Sequence, residues 1–170
     1  MTISTLLKKA NYGMIMILAR PGAGKSNIGK IILLDENDDW KMKYAVDSEF
    51  QMRYKDKNIR YITPGAKWKG IPRDSVLVID EVDRLVAASP ENRRWILDIA
   101  NLSRPWGLTV VMIARRPSMV PRDLTACAKS IIFGQVTEKL DIEYCSQWLP
   151  NAARLLPKLQ PGAFFAVNLA

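Results

Sequence analysis

The stretch Ala19-Arg20-Pro21-Gly22-Ala23-Gly24-Lys25-Ser26 constrains this chain more than any other feature of its 170 residues. The apolar run Met14–Ala19 leads into it, and a helical pattern from about Lys25 to Leu34 leaves it. A strand that ends in a Gly-rich turn and opens a helix points successive backbone N–H groups at one centre. The helix N-terminus adds the positive end of its dipole. That is the context of a phosphate-binding loop. Pro21, Gly22, Ala23, Gly24, Lys25, Ser26 and Asn27 are the residues that would surround the anion. Lys25 would reach the β- and γ-phosphates of a nucleoside triphosphate, and the Ser26 hydroxyl would be a Mg²⁺ ligand. Ala19 stands where the motif usually begins with glycine. That position ends the strand and touches no phosphate, so a small residue serves.

The second signal is Val76-Leu77-Val78-Ile79-Asp80-Glu81, about 55 residues beyond Lys25. Four apolar residues read as a strand buried on both faces, which leaves two carboxylates at its C-terminal end. In a parallel sheet that end lies beside the phosphate loop. Asp80 suits a metal ligand, and Glu81 is placed to polarise a water for attack on a γ-phosphate. An apolar run ending in Asp-Glu is common by itself. Behind a phosphate loop it is a hydrolase signature, and the water-activating glutamate argues against a nucleotide kinase. Asp83 reads as a solvated residue at a helix start.

Elsewhere apolar runs bounded by turn residues alternate with helical patterns, the mark of an α/β fold with a mostly parallel central sheet flanked by helices. The expected strands are Lys43–Val46, Arg60–Ile62 before the Pro64-Gly65 turn, Val76–Ile79, Leu108–Ala114, Ser130–Phe133 and Ala163–Val167. A helix is expected from Pro90 or Glu91 through Leu102, with Trp95, Ile96, Ile99 and Leu102 on one side. Neither repeat nor long linker interrupts the pattern, so residues 1–170 read as one domain.

Composition closes several routes. With 48% hydrophobic and 25% charged residues, the chain can bury a core and is not disordered. There is no histidine, which removes every His-based nucleophilic or proton-shuttle mechanism. Two cysteines, Cys127 and Cys145, make neither a disulfide framework nor a zinc site, and a reduced intracellular setting is the default. No apolar run reaches the ~20 residues of a membrane span. In Met1–Ala10 the lysines follow the apolar residues, the reverse of a secretory signal, so secretion is not expected.

The net charge is +8, which favours polyanionic partners, nucleic acid above all. Much of the excess lies in one window. Arg53, Lys55, Lys57, Arg60, Lys67, Lys69 and Arg73 are accompanied only by Asp56. Lys67-Trp68-Lys69 is the candidate DNA-contacting loop within it; a solvated basic face is the plainer alternative.

The most specific stretch is Ser103-Arg104-Pro105-Trp106-Gly107-Leu108, followed by the strand through Ala114 and then Arg115-Arg116-Pro117-Ser118. Here the chain resembles the FtsK–HerA superfamily of ring-shaped DNA-pumping ATPases. In that family an arginine and a glycine precede the fourth core strand, and a Thr/Ser-Gln-Arg-Pro-Ser-like motif follows it. Asp47-Ser48-Glu49-Phe50, near the family's Asp-x-x-Gly-Glu pattern but without its glycine, and the segment Leu159–Phe165 extend the likeness from Met14 to Val167.

The resemblance implies a RecA-like P-loop NTPase core that binds ATP with Mg²⁺ and works as a homo-oligomeric ring of six or five copies on double-stranded DNA. It puts Arg104 at the arginine-finger position, acting in trans on a neighbouring subunit's nucleotide. Arg115 replaces the family's γ-phosphate-sensing glutamine. For Arg115 and Arg116, a γ-phosphate sensor and a DNA contact both stay open. A length that holds only the ATPase core resembles the genome-packaging ATPases of membrane-containing double jelly-roll viruses. That likeness implies a host-cytoplasmic or virion-associated protein with capsid-vertex or membrane proteins as partners. A plasmid-transfer or segregation motor is the alternative within the superfamily. Outside it stands a nucleotide-binding assembly protein with negligible hydrolysis.

Overall fold

Every residue of the strand β1 (Gly13–Leu18) is buried, as its uninterrupted apolar sequence requires. The computed structural model describes residues 12–34, 40–46 and 58–169. Asp47-Ser48-Glu49-Phe50 and the basic residues Arg53, Lys55 and Lys57 lie outside them. After β1 come α1 (Lys25–Leu34), β2 (Lys43–Val46), β3 (Ile59–Tyr61), β4 (Ser75–Ile79), α2 (Val82–Ala88) and α3 (Pro90–Leu102). The remainder is β5 (Leu108–Ala114), α4 (Arg122–Ala126), β6 (Ala128–Phe133), α5 (Lys139–Ser146) and β7 (Phe165–Asn168), with 3₁₀ turns at Pro117–Met119 and Ala153–Lys158.

The seven strands form one sheet in the order β3-β2-β4-β5-β1-β6-β7. All neighbouring pairs are parallel except β6 with β7, which run antiparallel. Alternation along the strands divides the core in two. Met14, Met16 and Leu18 face one layer, with Leu77, Ile79, Val110 and Met112. Ile96 and Ile99 of α3 and Cys145 of α5 pack into that layer too. Ile15 and Ile17 face the other, with Val76, Val78, Val111 and Ile113, against Ile28, Ile32 and Leu33 of α1. The sheet is thus flanked by helices, the α/β architecture expected. Helix α3 starts where expected because Pro90 takes the first helical position and the Ser89 hydroxyl accepts from the Asn92 N–H at 3.1 Å.

Several strand bounds differ from the sequence expectations: β1 ends at Leu18 rather than Ala19, and β4 begins at Ser75 rather than Val76. The third strand runs one residue earlier, Ile59–Tyr61 in place of Arg60–Ile62, and β6 begins at Ala128. The last strand is Phe165–Asn168 rather than Ala163–Val167, because the turn at Pro161-Gly162 extends through Ala163, whose N–H bonds the Gln160 carbonyl at 3.0 Å. Helices α2, α4 and α5 had no clear periodic signal. They have 7, 5 and 8 residues, and helices that short owe their stability to tertiary packing rather than to propensity.

The topology decides what can meet. Strand β5 lies between β4 and β1, so the loops leaving all three open on the same edge of the sheet. Those loops carry Asp80 and Glu81, then Arg115, then residues 19–26.

Candidate active site

The loop after β1 is built by its backbone. Ala19 N–H still bonds the Ala114 carbonyl, continuing the ladder to β5, and Arg20 N–H bonds the Gln135 carbonyl at 2.8 Å. Gly22 and Gly24 then take φ of 78° and 89°, a left-handed region that other residues enter only at a cost. Above Gly22 the space is open, for a Cβ built there would meet nothing within 4 Å. The alanine in the usual glycine position has a counterpart. A Cβ on Gly134 would lie 2.7 Å from that of Ala19, so the extra methyl is accommodated by a glycine on the neighbouring strand's exit.

Lys25 opens α1 and is buried, its Nζ donating to the Arg20 carbonyl at 3.3 Å. Burial pushes its pKa below the ordinary lysine value, and the Asp80 carboxylate opposes that shift. A desolvated ammonium held at a helix N-terminus is a strong anchor for a phosphate.

Asp80 leaves β4 fully buried. Its Oδ2 accepts from Ser26 Oγ at 3.1 Å and its Oδ1 from the Glu81 N–H at 2.9 Å. A hydroxyl and a carboxylate oxygen already side by side fit a small hard cation. Mg²⁺ characteristically takes one or two protein oxygens and fills its shell with water and phosphate. Among the described residues, no group of three or more Cys, Asp or Glu side chains could cage a metal alone.

Glu81 has a left-handed backbone (φ 54°) and a buried side chain. Such a conformation costs a non-glycine residue on the order of 1 kcal/mol and clusters at functional sites. Both carboxylate oxygens are engaged. Oε1 pairs with Arg115 at 3.0 Å and Oε2 with Arg84 at 3.1 Å. Burial raises its pKa above the ordinary glutamate value, with Arg115 opposing. The cleft containing these groups has a volume of ≈ 290 Å³ and is lined by Pro21, Gly22, Gly24, Lys25, Ser26, Asn27, Glu81 and Arg115. Ala23, between two of the lining glycines in sequence, is buried.

Several residues stand elsewhere than the sequence suggested. Asp83 is not solvated: it is 4% exposed, and its carboxylate accepts the Arg115 N–H at 3.2 Å. Arg115 and Arg116 separate. Arg115 reaches into the cleft, whereas Arg116 is tied by its Nε to buried Asp141 at 2.9 Å, an acid that also accepts from Ser118. Trp68 is core rather than contact surface. Its indole is 3% exposed, donates to Asp98 at 3.0 Å and meets Trp106 edge-on at 5.9 Å. Lys69 shares Asp98 at 3.6 Å, and Lys67 is exposed. Arg104 is exposed at the opposite edge of the sheet, before β5. A seven-residue strand at about 3.3 Å per residue puts it on the order of 20 Å from the loop after β1.

Two site residues had no role in the sequence reading. Arg84, three residues after Glu81 on a helix, carried a readable spacing. Asp141 carried none, because 25 residues separate it from Arg116.

No family model and no curated protein matches the chain. Solved structures do. The DNA-packaging ATPase B204 of Sulfolobus turreted icosahedral virus superposes with a TM-score of 0.64 at 18% identity, over 92% of each chain. The pCW3 conjugation coupling protein TcpA, solved with ATPγS, gives 0.70 at 20% identity over 93% of this chain and 58% of its own. The type VII secretion ATPase EccC of Thermomonospora curvata gives 0.69 at 14% identity over 92% of this chain and 24% of its own. These neighbours are FtsK–HerA superfamily members with P-loop NTPase folds, and at such identities the likeness is one of fold.

Proposed function

We propose that this chain is the motor core of an FtsK–HerA-type ATPase that hydrolyses ATP and couples the reaction to movement of double-stranded DNA, as in packaging a viral genome. One observation carries the reading: Lys25, the Ser26–Asp80 pair, Glu81 and Arg115 converge on a single cleft at one edge of the sheet. Two observations bear on the polymer. The net charge of +8 suits a polyanion, and two of the fold's neighbours are named for DNA packaging and conjugation coupling.

In this reading Lys25 and the amides of the loop hold the β- and γ-phosphates, and Ser26 with Asp80 hold Mg²⁺. When bound, the ion neutralises charge on the phosphate oxygens. Glu81 orients a water and takes its proton as the water oxygen bonds to the γ-phosphorus and the bond to ADP breaks. Arg104 lies too far away to act on its own subunit's nucleotide. It serves a neighbour's, in a ring of six or five copies, where such fingers contribute about 10³–10⁵ in rate.

The test is steady-state phosphate release with and without duplex DNA. Turnover that rises with DNA supports the motor, and Glu81→Gln should keep ATP binding while lowering turnover at least about 10²-fold. ATP binding without turnover, with or without DNA, overturns it in favour of the second reading, a nucleotide-binding assembly protein. The occupation of both Glu81 oxygens by arginines is the observation that favours that rival.

A further inference from the structure

Arg115 follows β5, and its partner at the end of that strand is a carboxylate, Glu81. Four observations bear on its role. Its guanidinium pairs through one terminal nitrogen with Glu81 Oε1 at 3.0 Å, inside the cleft that Lys25 lines. Its Nε is buried and has no hydrogen-bond partner, so the fork is only partly satisfied. Its backbone N–H is fixed by Asp83 at 3.2 Å, so a rearrangement that keeps this bond is confined to the side chain. Arg84 independently holds Glu81 Oε2 at 3.1 Å, so the carboxylate keeps its orientation if Arg115 departs.

We propose that Arg115 occupies Glu81 until a γ-phosphate arrives and then exchanges the carboxylate for a γ-phosphate oxygen. The inference rests on the ATPase reading of the site. A guanidinium with an unused donor gains charge-assisted bonds when a γ-phosphate enters beside it. Its transfer frees Oε1, the oxygen that must accept a proton from water. With ADP there is no γ-oxygen to draw it, and Glu81 stays occupied. A glutamine at this position could not do the same, since a neutral amide carries neither the charge nor the forked donor set that binds a carboxylate and a phosphate oxygen in turn. The ion pair thus makes the water-activating group available only when the scissile phosphate is in place.

A binding cycle tests this without turnover. The affinities of Mg·ATPγS and Mg·ADP are measured by calorimetry for the unchanged chain, Glu81→Gln, Arg115→Gln and the double variant. If Arg115 must leave Glu81 to meet the γ-phosphate, neutralising Glu81 releases it in advance. Glu81→Gln should then tighten ATPγS about fivefold, the scale of a partly exposed ion pair, and change ADP by less than about twofold. In the Arg115→Gln background that gain should vanish. Direct repulsion between Glu81 and the γ-phosphate also predicts a gain but a coupling of the opposite sign, because removing Arg115 removes its screening and enlarges that gain.

An equal or larger gain in the Arg115→Gln background overturns the exchange, as does an equal effect on ADP. Arg115→Lys keeps the charge without the fork and should show an intermediate coupling; it carries the test if Arg115→Gln does not fold. If the unchanged chain binds no ATPγS, the ATPase reading falls with this one. Normal binding with the wrong coupling overturns only the exchange.

Discussion

The Ser26 hydroxyl donates to Asp80 Oδ2 at 3.1 Å, across 54 residues of sequence and across the intervening strand β5. The loop after β1 and the acidic end of β4 are therefore joined by a side-chain hydrogen bond. If the two oxygens share a cation, Asp80→Asn should weaken Mg²⁺-dependent ATPγS binding roughly tenfold, the scale of losing one charged ligand interaction. Binding measured in excess chelator should respond far less. Equal loss with and without Mg²⁺ would show that Asp80 only orders the loop.

Arg104 and Lys25 lie at opposite edges of one subunit, which makes them separable in a mixed assembly. If Arg104 acts in trans as proposed, Arg104→Ala subunits would keep the loop after β1 but offer no finger, and Lys25→Ala subunits would offer a finger but hold nucleotide poorly. Each should be nearly inactive alone. Mixtures should regain activity that peaks at intermediate ratios, because some interfaces then pair a sound loop with a sound finger. A flat baseline in mixtures shown to co-assemble counts against action in trans.

Trp68 and Lys67 are adjacent in sequence and opposite in environment. Trp68→Ala removes a buried indole with its bond to Asp98, and should cost about 3–5 kcal/mol in denaturant unfolding. Lys67→Ala should leave stability within about 0.5 kcal/mol, as surface changes do. If Lys67 contacts DNA phosphates, its loss flattens the salt dependence of duplex binding by about one counterion. An unchanged slope removes Lys67 from the interface.

Gly134 faces the methyl of Ala19 at a distance that leaves no room for a second one. Gly134→Ala should destabilise the fold by about 1–3 kcal/mol through overpacking. Ala19→Gly should recover part of that loss in the double variant. The recovery is incomplete, because the same Cβ would also press on the Phe164 ring at 2.7 Å. Additive effects in thermal melts would mean the two positions do not compete for space.

The parts of this protein that the sequence determined by itself are those specified by neighbours along the chain. The turn between β1 and α1 was legible because its glycines, lysine and serine are consecutive and the strand before it is uniformly apolar. The strands β1, β4 and β5 and the helix α3 were legible by period, run length and a proline at the helix start. The short helices escaped because fewer than nine residues carry little periodicity, and the last strand shifted because a turn bond outweighed its apolar residues. What only the tertiary structure decided is who meets whom at the edge of the sheet. Strand order is set by packing over the whole domain, and it placed β5 between the acidic strand and the phosphate loop. That placement brought Arg115 onto Glu81, buried Asp83 beneath it and sent Arg116 to Asp141. The same long-range packing drew Trp68 into the core against Trp106, although a tryptophan between two lysines reads locally as exposed. Burial and ion pairing depend on contacts between residues distant in sequence, and no local pattern encodes which of them the fold will bring together.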